Sequence, residues 1–448
     1  MPLTLDVRID GFADPIGQLT RNDEGGHSFA YREAHLELPN AMPLSLSLPL
    51  RLGPYPDVIT RAFFGNLLAE RDTMLRSVME REGIARDDIA GLLLHLGKDC
   101  PGAISIIPEG DPPAKVPGDF NTDYVTLSGH RMAEIVRSLH ERQRLPADAD
   151  DPSPLAGVQS KIAVTLLPDG RYAQPITGSG APTTHILKVP EVGRVRDADF
   201  EVAAMELSSE LLIPTAHAVV VRHGDVPCAL VQRFDRVVNG DVVTRVHQED
   251  FAQALGLPAS LKYERRGTPE RRFDVAAAAR ILNQTISPAE ARSLFIRNTF
   301  FDLLIGNADA HAKNHAILHL GAGRVQLAPR YDLLPTRMDP DLTEELAYRI
   351  GSATHLDQIT TTDFDDFMSS MGLIRKAARA RMKTRDLYVM SLFMESRFAA
   401  LDAKGLRTFA DLIASNMRTL LPVLGMKVHD LALERDAAIP RGGGWVMS

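Results

Sequence analysis

One polar loop, between an apolar helix and a hairpin, constrains the fold of this chain more than any other stretch. Residues 294–304 carry apolar side chains at helical spacing, and Gly306 stands where such a helix would end. The polar loop occupies residues 307–314. Two short apolar runs follow at 316–320 and 325–328, and the glycine-rich turn between them predicts a β-hairpin. A helix that leads into a hairpin in this way indicates an α+β fold.

Side chains suited to phosphoryl transfer stand in this loop and just past the hairpin. Asp309 and Asn314 are separated by the interval found between the Asp and the Asn of a protein-kinase catalytic loop. Phosphoryl transfer needs one carboxylate to orient a hydroxyl, and it needs amide and carboxylate oxygens to hold Mg²⁺ against the phosphates. The interval alone also occurs by chance in polar loops that cap the next element. Asp332, just past the hairpin, favours the kinase interpretation because the order of the parts is then reproduced as well.

Composition restricts the class of protein. The 448 residues are enough for two or three domains, and 44% hydrophobic with 24% charged residues is typical of a soluble globular protein. A formal net charge of -8 argues against a general nucleic-acid coat, although a local basic patch is compatible with it. Cys100 and Cys228 are the only cysteines, which indicates neither a disulfide framework nor a zinc site. Because we find no signal-peptide pattern and no apolar run of membrane-spanning length, we expect a cytoplasmic protein without a membrane partner.

Residues 1–110 have the pattern of a small α/β subdomain. Alternating apolar and polar residues over 3–9 predict a half-buried strand, and the run 63–78 predicts one amphipathic helix. Residues 42–50 also alternate, but their prolines leave two interpretations open, an edge strand or an extended segment. A further helix is expected to begin at an Asp87-Asp88 cap.

The next part, residues 123–234, contains three features that can bind a nucleotide. Residues 156–161 place Gly157 before a strand, which can bring backbone N–H groups to a phosphate, although such a stretch is more often an ordinary turn. Lys188 lies in a short apolar strand, either as a snorkelling edge lysine or as a cation for phosphates. Gln232-Arg233-Phe234 leaves the sheet, either as a hinge whose backbone meets adenine or as a strand end with exposed charges.

From about residue 235 to residue 440 the pattern is mostly helical. The polar run 247–250 stands before an apolar stretch at 251–255, and we expect it to cap that helix rather than to bind a metal. Basic residues crowd the stretch 376–385, which is either a solvated helix face or a surface for a phosphate backbone.

Taken together and in order, these motifs resemble the HipA family, the serine/threonine kinase toxins of bacterial type II toxin–antitoxin modules. Each piece is modest, but the resemblance runs nearly end to end. The matching segments are residues 43–49, 63–68, 157–161, 184–188, 233–236, 247–251, 262–263, 307–314 and 331–332. The resemblance implies a kinase-like two-lobed fold with an N-terminal subdomain (1–110), an N-lobe with the phosphate loop and the ATP lysine (123–234), and a mostly helical C-lobe (235–440).

The resemblance also implies a role for each site residue. Asp309 is the catalytic base, Asn314 and Asp332 bind Mg²⁺, and Lys188 contacts the phosphates of ATP. The loop over the phosphates consists of Ala156, Gly157, Val158, Gln159, Ser160 and Lys161. The residues expected to line the adenine or to lie close to the nucleotide are Gln232, Arg233, Phe234, His311, Lys313 and Tyr331.

The resemblance further implies ATP and Mg²⁺ as cofactors and a small HipB-like antitoxin as a partner, through which the toxin joins operator DNA. Some family members phosphorylate an aminoacyl-tRNA synthetase, which slows translation and favours persistence. One of two departures from the family concerns the Ser that members often autophosphorylate just before the phosphate loop, since Pro154 occupies its position here, and the other is Ala69-Glu70-Arg71 where Pro-Glu-Gly is commoner. Self-inactivation at the usual position is therefore excluded, and Ser153 and Ser160 are the nearby hydroxyls.

Two other functions stay open at the level of sequence. The chain could be an antitoxin-bound co-repressor with little kinase activity, although the complete set Lys188, Asp309, Asn314 and Asp332 argues against a loss of activity. A small-molecule kinase of the aminoglycoside-phosphotransferase kind uses a similar Asp, Asn and metal-binding Asp. The N-terminal subdomain and the stretch 247–251 do not fit that plan, so we expect a serine/threonine protein kinase toxin.

Overall fold

A computed structural model describes residues 2–70, 72–146, 160–428 and 430–435. The expected phosphate loop lies outside the described residues except for Ser160 and Lys161, and Ser153 and Pro154 lie outside them as well. Contacts divide the chain into two compact units. The first unit comprises Met1–Val192, Val221–Ser260 and Ala316–Ala328, and the second comprises Gly193–Val220, Leu261–His315 and Pro329–Ser448.

The described residues mix strands and helices, which confirms the α+β class. The strands are β1 (Leu3–Ile9), β2 (Gly17–Arg21), β3 (His27–Tyr31), β4 (Ile104–Pro108), β5 (Gly118–Asp119), β6 (Tyr124–Thr126), β7 (Lys161–Leu166), β8 (Tyr172–Pro175), β9 (His185–Lys188), β10 (Ala218–His223), β11 (Val226–Gln232), β12 (Arg236–Asn239), β13 (Val242–Arg245), β14 (Gln248–Asp250), β15 (Ala316–His319) and β16 (Val325–Leu327). The helices are α1 (Glu33–Leu36), α2 (Asp57–Gly65), α3 (Asp72–Glu82), α4 (Ile89–Leu96), α5 (Gly129–Arg142), α6 (Asp197–Glu210), α7 (Phe251–Ala254), α8 (Val275–Leu282), α9 (Pro288–Ile305), α10 (Thr361–Ser370), α11 (Lys376–Arg381), α12 (Tyr388–Ser396), α13 (Phe398–Ala403), α14 (Arg407–Val423) and α15 (Asp430–Glu434). Among the described helices, none is both long enough and apolar enough to cross a bilayer.

Four antiparallel strands in the order β3-β2-β1-β4 form the N-terminal sheet of the first unit. The strand predicted over 3–9 is β1, and its Leu5 and Val7 are fully buried in a core that also contains residues of α2 and α4. Asp88 caps α4 as predicted, since its carboxylate accepts a hydrogen bond of 2.9 Å from the Gly91 N–H.

The single helix predicted over 63–78 is wrong, because α2 and α3 share this region. After α2 ends, the Asn66 side chain donates to the Ala62 carbonyl at 2.7 Å and to the Leu257 carbonyl at 2.8 Å. The leucines 67–68 are buried although they lie outside the helix. Buried leucines beyond a helix end continue the apolar periodicity, so the pattern alone overestimates the length of the helix.

Of the two interpretations for residues 42–50, the structure has the extended segment rather than a strand. The buried carboxylate of Glu249 holds this segment, because it accepts hydrogen bonds from the Leu46 N–H (2.9 Å) and from the Ser45 hydroxyl. The same carboxylate contacts His319 Nε2 at 2.9 Å. Side chains elsewhere in the first unit therefore take the place of a neighbouring strand.

The polar run at 247–250 caps α7 as predicted. The Asp250 carboxylate accepts the Gln253 N–H at 2.8 Å, and the Gln253 side chain accepts the Asp250 N–H at 3.0 Å. This reciprocal pair is a capping box, which satisfies two backbone donors at the start of the helix.

A six-stranded sheet has the order β10-β11-β9-β7-β8-β6, and its strands other than the first half of β10 belong to the first unit. Because β9 lies between β11 and β7, Lys188 is opposite Ala229 on one side and opposite Lys161 on the other. The Lys188 side chain is buried, with 8% of the residue exposed, and the adjacent Leu187 and Val189 join the core beside α5. The interpretation of Lys188 as a snorkelling lysine on an edge strand is therefore excluded.

The second unit is mostly helical around α9 and α14. The predicted helix end at Gly306 is confirmed, with φ of 74° at that residue. The Asn416 side chain of α14 donates to the Leu304 carbonyl at 3.0 Å, which satisfies one of the acceptors left at the end of α9. The predicted hairpin is also confirmed, because β15 and β16 pair antiparallel in the first unit.

The basic stretch 376–385 forms α11 and a following π-helical turn. Two of its cations, Arg379 and Lys383, approach Asp365 at 3.5 and 2.8 Å. The other basic side chains of this stretch are exposed, namely Lys376, Arg381 and Arg385. Part of the stretch therefore stabilises the second unit, and part of it faces solvent.

Candidate active site

The second unit carries the polar loop directly after α9. The Asn307 N–H donates to the Asp302 carbonyl at 2.9 Å, and the Asp309 N–H donates to Asn307 Oδ1 at 3.0 Å. Residues Ala312–Asn314 then form one 3₁₀ turn. These hydrogen bonds shape the loop and fix the backbone position of Asp309.

The carboxylate of Asp309 is accessible and at the same time held in place. Its side chain is 43% exposed, and Oδ2 lies 3.9 Å from His311 Nε2. The Tyr263 hydroxyl donates a hydrogen bond to Oδ1. The guanidinium of Arg265 lies 4.1 Å from the centre of the Tyr263 ring, which keeps the phenol in position through a cation–π contact. Such a carboxylate can receive the hydroxyl of a substrate without first being ordered.

His311 is a neutral group beside this carboxylate. Burial lowers the pKa of His311 well below its usual value, and the charges of Lys262 and Lys313 add to the effect, while Asp332 opposes it. The imidazole is edge-on to the Tyr263 ring, with 5.1 Å between the ring centres. Both predicted acidic residues therefore influence this imidazole, Asp309 from 3.9 Å and Asp332 through its charge.

The Asn314 side chain folds back onto the loop. Its amide nitrogen donates to the Asp309 carbonyl at 2.8 Å, so that its oxygen is the end available to a cation. The next residue, His315, contacts the Ala310 carbonyl at 3.1 Å through Nε2. Burial lowers the pKa of His315 to about 3, with Arg330 adding to the effect, so this histidine is a neutral donor that supports the loop from inside.

Asp332 has a backbone conformation that few residues other than glycine adopt, with φ of 58°. The residue before it, Tyr331, donates its hydroxyl to the Lys313 carbonyl at 2.7 Å. This bond ties the segment after the hairpin to the residue that precedes Asn314. Strained conformations of this kind persist where surrounding contacts impose them, and they concentrate at functional sites.

A buried network that the sequence did not reveal lies behind the loop. Asp302, on α9, accepts two contacts from Arg330 Nη2 at 2.7 and 2.8 Å and one from the Asn307 side chain at 2.9 Å. Burial raises the pKa of Asp302, and Arg330 and Asn307 oppose the rise. The signal that could have revealed this network is the acidic residue within the apolar run 294–304, because buried carboxylates need partners.

The donor set fits a nucleotide-bound magnesium ion better than an all-protein metal centre. Among the described residues, no group of three or more His, Cys, Asp or Glu side chains could hold a metal. Mg²⁺ commonly takes one or two protein oxygens and completes its octahedron with phosphate oxygens and water. The Asn314 oxygen and the Asp332 carboxylate are hard oxygen donors of the kind that Mg²⁺ prefers.

The remaining predicted site residues lie in the first unit. Lys161 is the first residue of β7, and Ser160 directly precedes it. The Ser160 carbonyl accepts a hydrogen bond of 2.9 Å from the N–H of Val189, the residue after Lys188. Gln232 ends β11 with an exposed side chain. Residues Ala156, Gly157, Val158 and Gln159 are outside the described part of the chain.

Arg233 and Phe234 follow β11, and the guanidinium of Arg233 is used for the fold. It donates to both oxygens of the Asp235 carboxylate at 3.0 Å each, and both residues are buried. Burial alone would raise the pKa of Asp235, but Arg233 and Arg236 hold it at about 2. Of the two interpretations of this segment, an end with exposed charges is wrong for Arg233, and the prediction that backbone groups here meet adenine stays a prediction.

Comparisons with known proteins identify the family of this chain. The model of the HipA N-terminal domain matches residues 5–107, and the model of the HipA-like C-terminal domain matches residues 153–389, more than half of the chain. The chain belongs to the HipA family. It is 32% identical over 408 residues to Y4mE of Sinorhizobium fredii, a protein named as a kinase, with 90% of this chain and 95% of that protein covered.

Two further comparisons relate the chain to HipA proteins from Shewanella oneidensis. The serine/threonine-protein kinase toxin HipA of that organism is 28% identical over 391 residues, with 83% of this chain and 84% of the toxin covered. A chain in the solved structure of the S. oneidensis HipA, HipB and operator DNA complex superimposes with a TM-score of 0.76 at 24% identity, over 95% of this chain and 100% of that chain. The structural likeness confirms the kinase-like fold expected from the sequence.

Proposed function

We propose that this member of the HipA family is an ATP-dependent serine/threonine protein kinase and the toxin of a type II toxin–antitoxin module. The observation that carries the proposal is the junction of Asp309, His311, Asn314 and Asp332 in the second unit. One accessible carboxylate lies beside a pair of hard oxygen ligands there. This is the minimum that kinase catalysis requires, because phosphoryl transfer depends on positioning and charge neutralisation rather than on covalent catalysis.

Each residue has a distinct task in the proposed reaction. A carboxylate oxygen of Asp309 accepts a hydrogen bond from the hydroxyl of the substrate Ser or Thr. This bond orients the hydroxyl oxygen in line with the γ-phosphate of ATP. The Asn314 oxygen and the Asp332 carboxylate hold Mg²⁺, which neutralises charge on the phosphates when it is bound with the nucleotide. His311 stays neutral beside the loop, so it adds no positive charge that would compete for the Asp309 carboxylate.

The first unit supplies the nucleotide contacts in this proposal. Lys188, on an interior strand, is the cation for the phosphates of ATP, and the family resemblance assigns the loop over those phosphates to residues 156–161. Backbone groups of Gln232, Arg233 and Phe234 meet the adenine, with Arg233 fixed by Asp235. His311, Lys313 and Tyr331 complete the surroundings of the nucleotide in the second unit.

The proposed partners follow from the relatives. A relative that superimposes over nearly the whole chain is solved with HipB and operator DNA, which supports a HipB-like antitoxin and operator DNA as partners of this chain. The proposed substrate is a cellular protein required for translation, with an aminoacyl-tRNA synthetase as the leading candidate. Its phosphorylation would inhibit translation and produce growth arrest and persistence.

The substitution Asp309→Asn tests the proposal. We expect the variant to keep the thermal unfolding midpoint and the ATP affinity of the wild type, and to lose protein phosphorylation by at least a hundredfold together with toxicity. Phosphoproteomics after brief expression of either form identifies the substrate as the site that only the wild type modifies. The matched control is Asp341→Asn, which removes an exposed carboxylate of the same unit and should change neither protein phosphorylation nor toxicity.

Two results would contradict the proposal. Undiminished toxicity in the Asp309→Asn variant would exclude Asp309 as the catalytic base. A free wild-type protein that turns over no ATP, yet still represses its operator together with the antitoxin, would instead favour a co-repressor with little kinase activity.

A further inference from the structure

A buried carboxylate interrupts the apolar interior of the second unit just behind the polar loop. Asp302 is 3% exposed and lies one turn before the end of α9, between fully buried apolar neighbours such as Phe301 and Leu304. Its two oxygens accept three hydrogen bonds, two from one nitrogen of Arg330 and one from Asn307. Removing one partner of a buried ion pair leaves the other charge uncompensated, so Asp302 and Arg330 depend on each other.

One branch of this network leads to the catalytic base. The Asn307 side chain donates to Asp302 Oδ1 at 2.9 Å and accepts the Asp309 N–H with its oxygen at 3.0 Å. The backbone N–H of Asn307 donates to the Asp302 carbonyl at 2.9 Å as well. Asp302 therefore holds Asn307 through one side-chain and one backbone hydrogen bond. Asn307 in turn fixes the position of the Asp309 N–H.

The other branch leads to the residue proposed to bind magnesium. Arg330, itself 5% exposed, donates through Nη1 to the Asn298 carbonyl at 3.0 Å in addition to its contacts with Asp302. Its backbone N–H donates to the Pro214 carbonyl at 2.8 Å, and its carbonyl accepts the Ala216 N–H at 2.8 Å. Arg330 is thus fixed in side chain and backbone two residues before Asp332, whose φ of 58° lies in the left-handed region.

We propose that Asp302 is a positioning residue, which aligns the catalytic base with the magnesium ligand. It acts on the base through Asn307 and on the ligand through Arg330. The inference rests on the proposed kinase function and adds the residue that aligns the catalytic base with the metal ligand. An ionised carboxylate is suited to this task because both oxygens accept, so one group can serve two donors from different segments. An amide at the same place has only one acceptor atom and would turn N–H groups toward Arg330. Misplacement of a reacting group by about 1 Å can cost a hundredfold in rate, so a small loosening is measurable.

Three substitutions separate the two branches. Asn307→Ala removes the side-chain link between Asp302 and Asp309, Arg330→Met removes the side-chain link between Asp302 and the segment that carries Asp332, and Asp302→Asn weakens both. For each variant the measurements are kcat at saturating ATP and Mg²⁺, and the Mg²⁺ concentration that gives half-maximal activity.

We expect a split between these two quantities. Asn307→Ala should lower kcat by about tenfold or more and leave the Mg²⁺ requirement within twofold of the wild type. Arg330→Met should raise the Mg²⁺ requirement by at least fivefold, and Asp302→Asn should change both quantities. Asn307→Ser, which keeps an oxygen for the Asp309 N–H, should recover part of the lost kcat.

The control variant is Asp363→Asn. This carboxylate is also buried in the second unit and accepts several hydrogen bonds from Ser352 and Thr360, but these cap α10 and none reaches the loop. It should lower the unfolding midpoint without changing kcat or the Mg²⁺ requirement. If Asp302→Asn does not fold, the two single-branch variants still decide the question.

The outcomes distinguish this inference from the proposed function. A wild type that is active, with Asn307→Ala and Arg330→Met variants that lose only stability or that change kcat and the Mg²⁺ requirement in parallel, would overturn the positioning role and leave the kinase proposal in place. A wild type that neither binds nor consumes ATP would overturn the kinase proposal, and this inference with it.

Discussion

At the scale of single residues, the site combines exposure with constraint. Asp309 is open to solvent, yet its N–H, its carbonyl and its carboxylate each have a partner in Asn307, Asn314 and Tyr263. Asp332 has a φ of 58°, in the left-handed region that residues other than glycine adopt uncommonly. A catalytic group that is ordered before the substrate arrives needs no reorganisation during the reaction, which is how pre-organised sites accelerate it.

Tyr263→Phe tests whether the phenol positions the base. A hydrogen bond to a charged group contributes roughly 1.5–3 kcal/mol, and a loss of about 1.4 kcal/mol in the transition state is tenfold in rate. We therefore expect kcat to fall by about tenfold while the KM for ATP stays within twofold, as measured by steady-state phosphorylation of the protein substrate.

A matched control removes a phenolic hydroxyl elsewhere. Tyr124→Phe deletes the hydrogen bond of 2.7 Å to the Pro182 carbonyl in the first unit and should leave kcat unchanged. An unchanged kcat in Tyr263→Phe as well would contradict a positioning role for the phenol, and an increase would mean that the phenol blocks the substrate hydroxyl.

At the scale of elements, the features that a local sequence pattern decides were predicted correctly. The features that contacts between distant residues decide were not. Helix α9, its end at Gly306 and the following hairpin were predictable because periodicity and a glycine stop are local signals. The helix over 63–78 was predicted wrongly because Asn66 is anchored to Leu257, a residue distant in sequence. Asp302 was missed for the same reason, since its partner Arg330 lies 28 residues further along the chain.

Gly306→Ala tests the helix end that starts the polar loop. A left-handed backbone costs an L-residue roughly 1–2 kcal/mol, and a Cβ at this position would approach Leu412 Cδ2 to 2.8 Å. We expect the second unit to lose more stability than strain alone explains, as measured by urea unfolding.

The comparison is Gly425→Ala, at a residue that also follows a helix end. Its φ is 75°, and a Cβ there would meet nothing within 4 Å, so only the strain is added. A loss of stability in Gly306→Ala that is no larger than in Gly425→Ala would show that the contact with α14 does not constrain the loop.

At the scale of the whole molecule, the site residues predicted from the sequence are divided between the two compact units. Asp309, Asn314 and Asp332 belong to the second unit, and Lys188 belongs to the first. The sequence predicted these residues through motif order and family resemblance, which require no knowledge of packing. The supporting contacts of Asn307, Tyr263 and Arg330 could not be predicted in this way, because each joins segments whose proximity exists only in the folded chain.

The magnesium dependence of ATP affinity tests the central claim most directly. Titration calorimetry of the wild type, with and without Mg²⁺, should show tighter binding of ATP when Mg²⁺ is present. Asn314→Ala and Asp332→Asn should abolish that difference and keep the metal-free affinity, and Asp309→Asn should keep the difference. Magnesium-dependent ATP binding that survives both ligand substitutions, or the absence of ATP binding by the wild type, would contradict the account.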